Sequence, residues 1–284
     1  MRVGFLGLGR MGLPMATHLG RAGHEVIAYD TDEGARSRAT DAGVAVVESI
    51  GEFADREIVC SSLPDTPNVE EAYRAEGGVF EVVEAGTICV DLSTISVSTS
   101  RAIAAEASER GIEFLDAPVS GAPMHSQEGI LVVMVGGSAD ALERARPAIE
   151  PFAAKIDHIG PNGTGLQLKL VTNRLIGTYL TVIGEAIVGM EAAGLDVENG
   201  MEVIRAGVVP KLLDFRARPM MERDYAPQFT VDLMAKDLRL AAEALPRARL
   251  AVLAREIIDQ VSSDGHGAED PAAIMRILER EIPE

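Results

Sequence analysis

Cysteine is scarce in this chain of 284 residues, with two in all, and cations are few, with 26 Lys and Arg against 44 Asp and Glu. Cys60 and Cys89 each lie in an apolar, strand-like segment, as buried reduced thiols do, so no disulfide framework is expected. The formal net charge of −18 repels phosphate backbones and argues against a nucleic-acid partner. No window holds 18 uninterrupted apolar residues, which excludes a membrane-spanning helix. His158 and His266 have no Cys, His or acid at ligand spacing, so no metal site is expected. Internal repeats, low-complexity tracts and long flexible linkers are also missing. No basic region or cleavage site precedes Val3–Leu6, so the expected location is the cytoplasm.

What is present is a chain long enough for two domains, with 47% hydrophobic residues, too many for a disordered chain. In the first half, short apolar runs alternate with helical stretches. The runs are Val3–Leu6, Glu25–Tyr29, Ile58–Ser61, Thr87–Val90, Glu113–Leu115, Leu131–Val135 and Ile156–Ile159. Between them lie Met11–Ala22, Glu33–Ala42, Val69–Tyr73, Val97–Arg110 and Ala139–Phe152. Short buried strands separated by helices predict a parallel sheet with right-handed crossovers. From about Gly165 onward only helical periodicity remains. Thr164–Ala193 contains no proline and is apolar around most of its surface, as buried helices are, and Gly194 is placed to end it. Shorter helices are expected near Val197–Ala206, Pro210–Met221, Val231–Leu245, Ala248–Ser262 and Pro271–Glu279.

The expectation is therefore an α/β chain. A Rossmann-type parallel-sheet domain over residues 1–162 is followed by an all-helical domain over 163–284, joined by a long interdomain helix. The apolar surface of that helix exceeds what one small domain covers, which predicts a homodimer or homotetramer.

Gly7-Leu8-Gly9-Arg10-Met11-Gly12 follows the first strand and opens the first helix. The first glycine permits a tight turn, the second lets backbone approach a pyrophosphate, and the third allows close strand–helix packing. Helix N-terminal N–H groups would then receive the phosphates. Asp30 stands 18 residues after Gly12, where a carboxylate can bind ribose hydroxyls and repel a 2′-phosphate. Arg36 and Arg38 lie close behind, but Thr31-Asp32-Glu33 adds no cation. NAD is favoured, with NADP as the second choice.

Lys169 and Asn173, four residues apart, share one helical face in Gly163-Thr164-Gly165-Leu166-Gln167-Leu168-Lys169-Leu170-Val171-Thr172-Asn173. By itself Lys169 is as much a snorkelling lysine as a functional one.

Four segments, Gly7–Gly12, Asp116-Ala117-Pro118-Val119-Ser120-Gly121, Gly163–Asn173 and Lys236-Asp237-Leu238, together resemble the β-hydroxyacid dehydrogenase family of 3-hydroxyisobutyrate dehydrogenases and tartronate semialdehyde reductases. The resemblance spans essentially the whole chain. It implies hydride transfer between a nicotinamide cofactor and a small 3-hydroxy acid or its semialdehyde, with Lys169 as general acid/base and Asn173 orienting substrate or lysine. An unperturbed lysine, with a pKa near ~10.4, is a poor base at neutral pH, so burial must lower it.

The resemblance also implies that Ser120 and Gly121 hold the substrate carboxylate. Ala122 departs from the family's Ser-Gly-Gly, and Pro123-Met124-His125 follows, which bears on substrate identity rather than reaction type. His125 is expected on an exposed loop. Leu63, Pro64 and Asn68 match the loop along the cofactor, Ser93 and Thr94 the segment beside the nicotinamide. Lys236 would reach the cleft. Phe229 and Asp237 fall where the family brings C-terminal residues to the site, although Asp237 reads equally well as an exposed helix acid. Imine reductases share this architecture but generally lack the lysine. A non-catalytic dinucleotide-binding module would need only the first domain.

Overall fold

The computed structural model describes residues 1–173, 189–190, 193–208, 219–220, 222–227, 230–232, 234–235, 249–278 and 280. The chain divides into two compact units, Met1–Arg174 and Leu175–Glu284.

The first unit is built on one sheet. Strands β1 (Arg2–Leu6), β2 (Glu25–Tyr29), β3 (Ala45–Val46), β4 (Ile58–Ser61), β5 (Ile88–Asp91) and β6 (Glu113–Asp116) are all parallel, in the order β3-β2-β1-β4-β5-β6. Every residue of β4 and of β5 is buried, as strands covered on both faces must be. One layer of core packs Met15 and Leu19 of α1 (Gly12–Arg21) and Leu142 and Ile149 of α7 (Ala139–Ile149) against one face. The other layer packs Val69 and Tyr73 of α3 (Thr66–Arg74), Phe80 of α4 (Val79–Val82) and Ile103 of α5 (Val97–Glu109) against the opposite face.

The expected sheet is parallel throughout, and the structure corrects its far edge. Strand β8 (Leu131–Gly136) runs antiparallel to β6 and to β7 (Val119–Ser120), then pairs in parallel with β9 (Ala153–Gly160). The reversal arises because Val119 to Leu131 returns through a short connection carrying only the six-residue helix α6 (Pro123–Glu128). A parallel return needs a crossover of about a dozen residues or more. The short elements β3, β7, α4 and α6 have no periodic signature and are absent from the pattern-based expectation. The position expected for His125 is likewise corrected: it lies on α6 and is half-buried, not on an exposed loop.

Residues 164–173 are helical, and so are 189–190. The expected stop at Gly194 is formed: φ is +68° there, and the Leu195 N–H donates to the Met190 carbonyl at 2.9 Å. The remainder of the expected Thr164–Ala193 helix lies outside the described residues, as do most of Pro210–Met221 and Val231–Leu245.

In the second unit, Val197–Ala206 and Arg249–Val261 are helices, and Pro271–Ile274 leads into the helix Met275–Leu278. Val231, Ala235, Ile258, Val261, Ala273 and Ile277 form its core. Among the described residues no helix is long and apolar enough to cross a membrane.

Candidate active site

In strand order β2-β1-β4 the connections leave β1 in opposite directions, so the carboxyl ends of these strands open a crevice. A cavity of about 770 Å³ occupies it. Gly7, Gly9, Arg10, Met11 and Gly12 line one wall, Asp30 a second, and Leu63, Pro64 and Asn68 a third.

The three glycines of the loop are held for different reasons. Gly7 has φ +88°, and a Cβ there would stand 2.3 Å from the Ser62 carbonyl oxygen. A Cβ on Gly12 would stand 1.9 Å from the Gly7 carbonyl oxygen. Both are required by the protein's own backbone. Gly9 is not: its φ is not positive, and among the described residues nothing lies within 4 Å of a Cβ built on it. A glycine that neither conformation nor packing demands, on a cavity wall at a helix N-terminus, fits close backbone approach to a phosphate.

Asp30 follows β2 as a fixed acceptor. Its Oδ2 accepts the Leu8 N–H at 2.6 Å, and its Oδ1 accepts the Asp32 N–H at 2.8 Å. Leu8 contributes only backbone here, since its side chain is in the core. The two nearby arginines are engaged. Arg36 donates to the Asp30 carbonyl at 2.7 Å, and Arg38 pairs with Asp32 at 3.5 Å.

The third wall rests on a buried polar network. Leu63 N–H donates to Ser93 Oγ at 2.9 Å, and Ser93 N–H donates to Asp91 Oδ1 at 3.2 Å. Ser61 Oγ donates to the same Asp91 oxygen at 2.8 Å and lies 2.9 Å from the Tyr73 hydroxyl. Burial pushes the Asp91 carboxyl up to about 6, against the pull of the two serines. Ser93 is thus a support for Leu63 and not part of the cavity lining, and Thr94 beside it is half-buried. Pattern reasoning picks out neither Asp91 nor Ser61. The available signal was a polar residue ending an otherwise apolar strand. Burial also pushes the Cys60 thiol up to about 12, and both cysteines are free.

Ser120 ends β7, half-buried, and Gly121 follows with φ +147°. A Cβ on Gly121 would come within 2.7 Å of Leu131 Cδ2. Ala122 is exposed, and its N–H donates to His125 Nδ1 at 2.9 Å. That amide is therefore committed to α6. Ser126 Oγ on the same helix donates to the Met11 carbonyl at 2.8 Å, joining this segment to the glycine loop.

Lys169 is half-buried on the helix over 164–173, and Asn173, one turn on, is exposed. Desolvation lowers the Lys169 amine below the ordinary lysine range. The start of this helix is docked on the sheet by Asp116, fully buried at the end of β6. Its Oδ1 accepts the Gly163 N–H at 2.6 Å and its Oδ2 the Leu166 N–H at 3.0 Å. Gly165 allows that approach, since a Cβ there would stand 2.3 Å from the Met134 carbonyl oxygen. Phe229, Lys236 and Asp237 lie outside the described residues. Among the described residues no group of three His, Cys, Asp or Glu side chains is disposed to hold a metal.

Residues 2–160 match the family described as the NAD binding domain of 6-phosphogluconate dehydrogenase. Residues 163–278 match the family described as NAD-binding of NADP-dependent 3-hydroxyisobutyrate dehydrogenase. A 2-(hydroxymethyl)glutarate dehydrogenase of Eubacterium barkeri is 33% identical over 287 residues, covering 99% of this chain and 95% of that protein. The solved structure of Mycobacterium tuberculosis 3-hydroxyisobutyrate dehydrogenase with L-serine is similar at a TM-score of 0.69 and 34% identity, covering 98% of this chain and 99% of that one. An imine reductase from a Pseudomonas species superimposes at a TM-score of 0.83 over 98% of this chain and 99% of that one, but at 18% identity that likeness speaks to the fold alone.

Proposed function

The chain belongs to the β-hydroxyacid dehydrogenase family, and from that premise we propose that Lys169 is the general acid/base acting on a small 3-hydroxy acid or its semialdehyde. It is an NAD(P)-dependent oxidoreductase of hydroxy acids. When bound, the nicotinamide supplies the hydride acceptor or donor. The residues of this chain supply everything else.

Lys169 Nζ accepts the substrate hydroxyl proton during oxidation and returns it during reduction. As a base it must be neutral, and its half-buried position favours the neutral amine. Asn173 holds the reacting oxygen or the amine in line. The Ser120 hydroxyl and Gly121 N–H receive the substrate carboxylate, and Ala122, whose own N–H is taken by His125, offers its methyl group at the edge of that cradle. The family resemblance assigns Phe229 to substrate binding and Lys236 to cofactor binding. Gly7, Leu8, Gly9, Arg10, Met11 and Gly12 wrap the pyrophosphate, Leu63, Pro64 and Asn68 run along the cofactor, and Ser93 and Thr94 back its nicotinamide end.

Asp30 selects NAD over NADP. Its oxygens are held in place by the Leu8 and Asp32 N–H groups and keep lone pairs for ribose hydroxyls, and Arg36 and Arg38 are engaged elsewhere. By function we assign residues 1–162 to dinucleotide binding and 163–284 to substrate binding and association, so that the helix over 164–173, although part of the first compact unit, belongs to the substrate side. The chain works in the cytoplasm as a homodimer or homotetramer. Exposed apolar side chains on the second unit, including Leu195, Val203 and Leu253, support association.

The observation that carries the catalytic reading is Lys169: a desolvated amine on a helix docked, through Asp116, onto the segment that leads to Ser120. The same lysine weighs against imine reduction. The test is a panel of L-serine, 3-hydroxyisobutyrate, 2-(hydroxymethyl)glutarate and related short 3-hydroxy acids, assayed with NAD and with NADP. Turnover of at least one, faster with NAD, is expected. Cofactor binding with no turnover of any acid or semialdehyde would leave a non-catalytic binding module.

A further inference from the structure

Asp116 is fully buried, yet it takes no part in the reaction described above. It closes β6 and opens the run Asp116-Ala117-Pro118-Val119-Ser120, so its backbone leads directly to the carboxylate cradle. Its side chain reaches much further along the chain, across 47 residues to Gly163 and 50 residues to Leu166. Each carboxylate oxygen takes one of those backbone N–H groups, one just before and one within the first turn of the helix that carries Lys169.

The surroundings reinforce that contact. The Gly136 and Gly165 positions would each bring a Cβ into collision here, with the Asp116 carboxylate at 2.6 Å and with the Met134 carbonyl at 2.3 Å respectively. Asn162 Nδ2 adds a parallel tie to the Phe114 carbonyl at 2.7 Å. The result is a helix start seated on a strand end through the Asp116 carboxylate, with no Cβ at Gly136 or Gly165 to hold them apart.

From this geometry we infer that Asp116 is a positioning residue: it sets the distance between the Lys169 amine and the Ser120 carboxylate cradle by pinning both to the end of β6. The inference rests on the reading of Lys169 as acid/base. An ionised carboxylate suits this task better than its amide, because it accepts at both oxygens, whereas an amide must turn one N–H donor toward another. The titratable group facing Asp116 is Asp91, its register partner on β5. Burial raises the Asp116 carboxyl, and the backbone donors of Gly163 and Leu166 pull it back toward the charged form.

The experiment compares wild type, D116N, K169A and the double variant, using the 3-hydroxy acid that wild type oxidises fastest. D116N is expected to lower kcat by about 10- to 100-fold, the loss that a shift of the order of an ångström produces. NAD affinity should stay within about twofold, because the glycine loop and Asp30 are untouched. The alkaline-rising limb of the D116N pH–rate profile should move toward the ordinary lysine value, since a loosened helix lets water reach the amine. In the K169A background the same substitution should cost little, because the group it positions is gone.

An unmoved limb, or a D116N loss that persists undiminished in K169A, overturns the positioning role. Failure of the underlying reading looks different: K169A itself then keeps wild-type turnover. If D116N does not fold, Asn162→Ala releases the neighbouring tie and should move the limb in the same direction. A profile identical to wild type in that variant counts against the inference. Amide hydrogen exchange supplies a readout independent of turnover. In either variant, exchange should quicken at 163–169 while β1 stays protected, and equal slowing or quickening throughout the first unit overturns the local role.

Discussion

The Leu8 N–H donates to Asp30 Oδ2 at 2.6 Å, tying the glycine-rich turn to the acid proposed to bind the ribose. That hydrogen bond couples the glycine loop to the carboxylate, whose other oxygen is held by the Asp32 N–H. Removing the acid has two consequences, loss of a ribose acceptor and loss of repulsion toward a 2′-phosphate. Asp30→Ala is expected to weaken NAD by about tenfold or more while NADP weakens less, so the preference narrows. Dissociation constants for both cofactors, measured by quenching or calorimetry, check this. An unchanged ratio between them would remove Asp30 as the selector.

Gly9 and Gly12 should respond differently to the same methyl group. Gly9→Ala meets nothing in the protein, so unfolding free energy should stay within about 0.5 kcal/mol of wild type while cofactor affinity drops at least about tenfold. Gly12→Ala drives a Cβ to 1.9 Å from the Gly7 carbonyl oxygen and should destabilise the fold itself. Denaturant melts and cofactor titrations on the two variants separate the cases. A Gly9→Ala protein that binds cofactor normally would show that no ligand backbone approaches there.

Lys169→Ala should reduce kcat by about 10²- to 10⁴-fold with cofactor affinity retained, the range for losing a general acid/base. Lys169→Arg should be nearly as damaging, because a guanidinium does not deprotonate in the working range. In wild type, oxidation should rise with pH through a limb below the ordinary lysine value of 10.5, since desolvation favours the neutral amine. Reduction should fall across the same range. Normal turnover in the alanine variant would refute proton transfer by this residue.

The Asp91 carboxyl, pushed to about 6 by burial, holds a proton in the folded chain at pH values where the unfolded chain, near 3.8, has released it. Its contribution to stability is therefore fully present below about pH 4 and is lost as the pH rises through about 6. Asp91→Asn keeps an acceptor for Ser61 and Ser93 but carries no charge. Melting temperatures recorded from pH 4 to pH 7 should show the variant gaining on wild type as the pH rises. Parallel curves for the two proteins would mean that Asp91 does not titrate in this window.

Much of the first unit was legible in the chain because its signals are local. The runs at Glu25–Tyr29 and Ile58–Ser61 match strands residue for residue, since continuous apolar stretches bounded by polar residues have few other solutions. The glycine loop and Asp30 were legible for a related reason: the turn, the helix start and the acid lie within a single βαβ unit. Lys169 was visible as an amine on a helix, and its burial was expected from the family resemblance rather than from the residues around it.

What the chain did not disclose depends on partners far away in sequence. Asp91 and Asp116 look like ordinary acids at strand ends, because their roles rest on backbone amides and hydroxyls that leave no residue pattern. The antiparallel turn of β8 followed from the length of one connection, and the engagement of the Ala122 N–H by His125 from a six-residue helix too short to show a period. Hydrophobic period and turn chemistry act over a few residues, so the residue order alone specifies the dinucleotide-binding architecture and the chemical groups available to it. Which of those groups are held rigid, desolvated or already engaged depends on hydrogen bonds and packing between segments tens of residues apart, and so emerges with the folded chain.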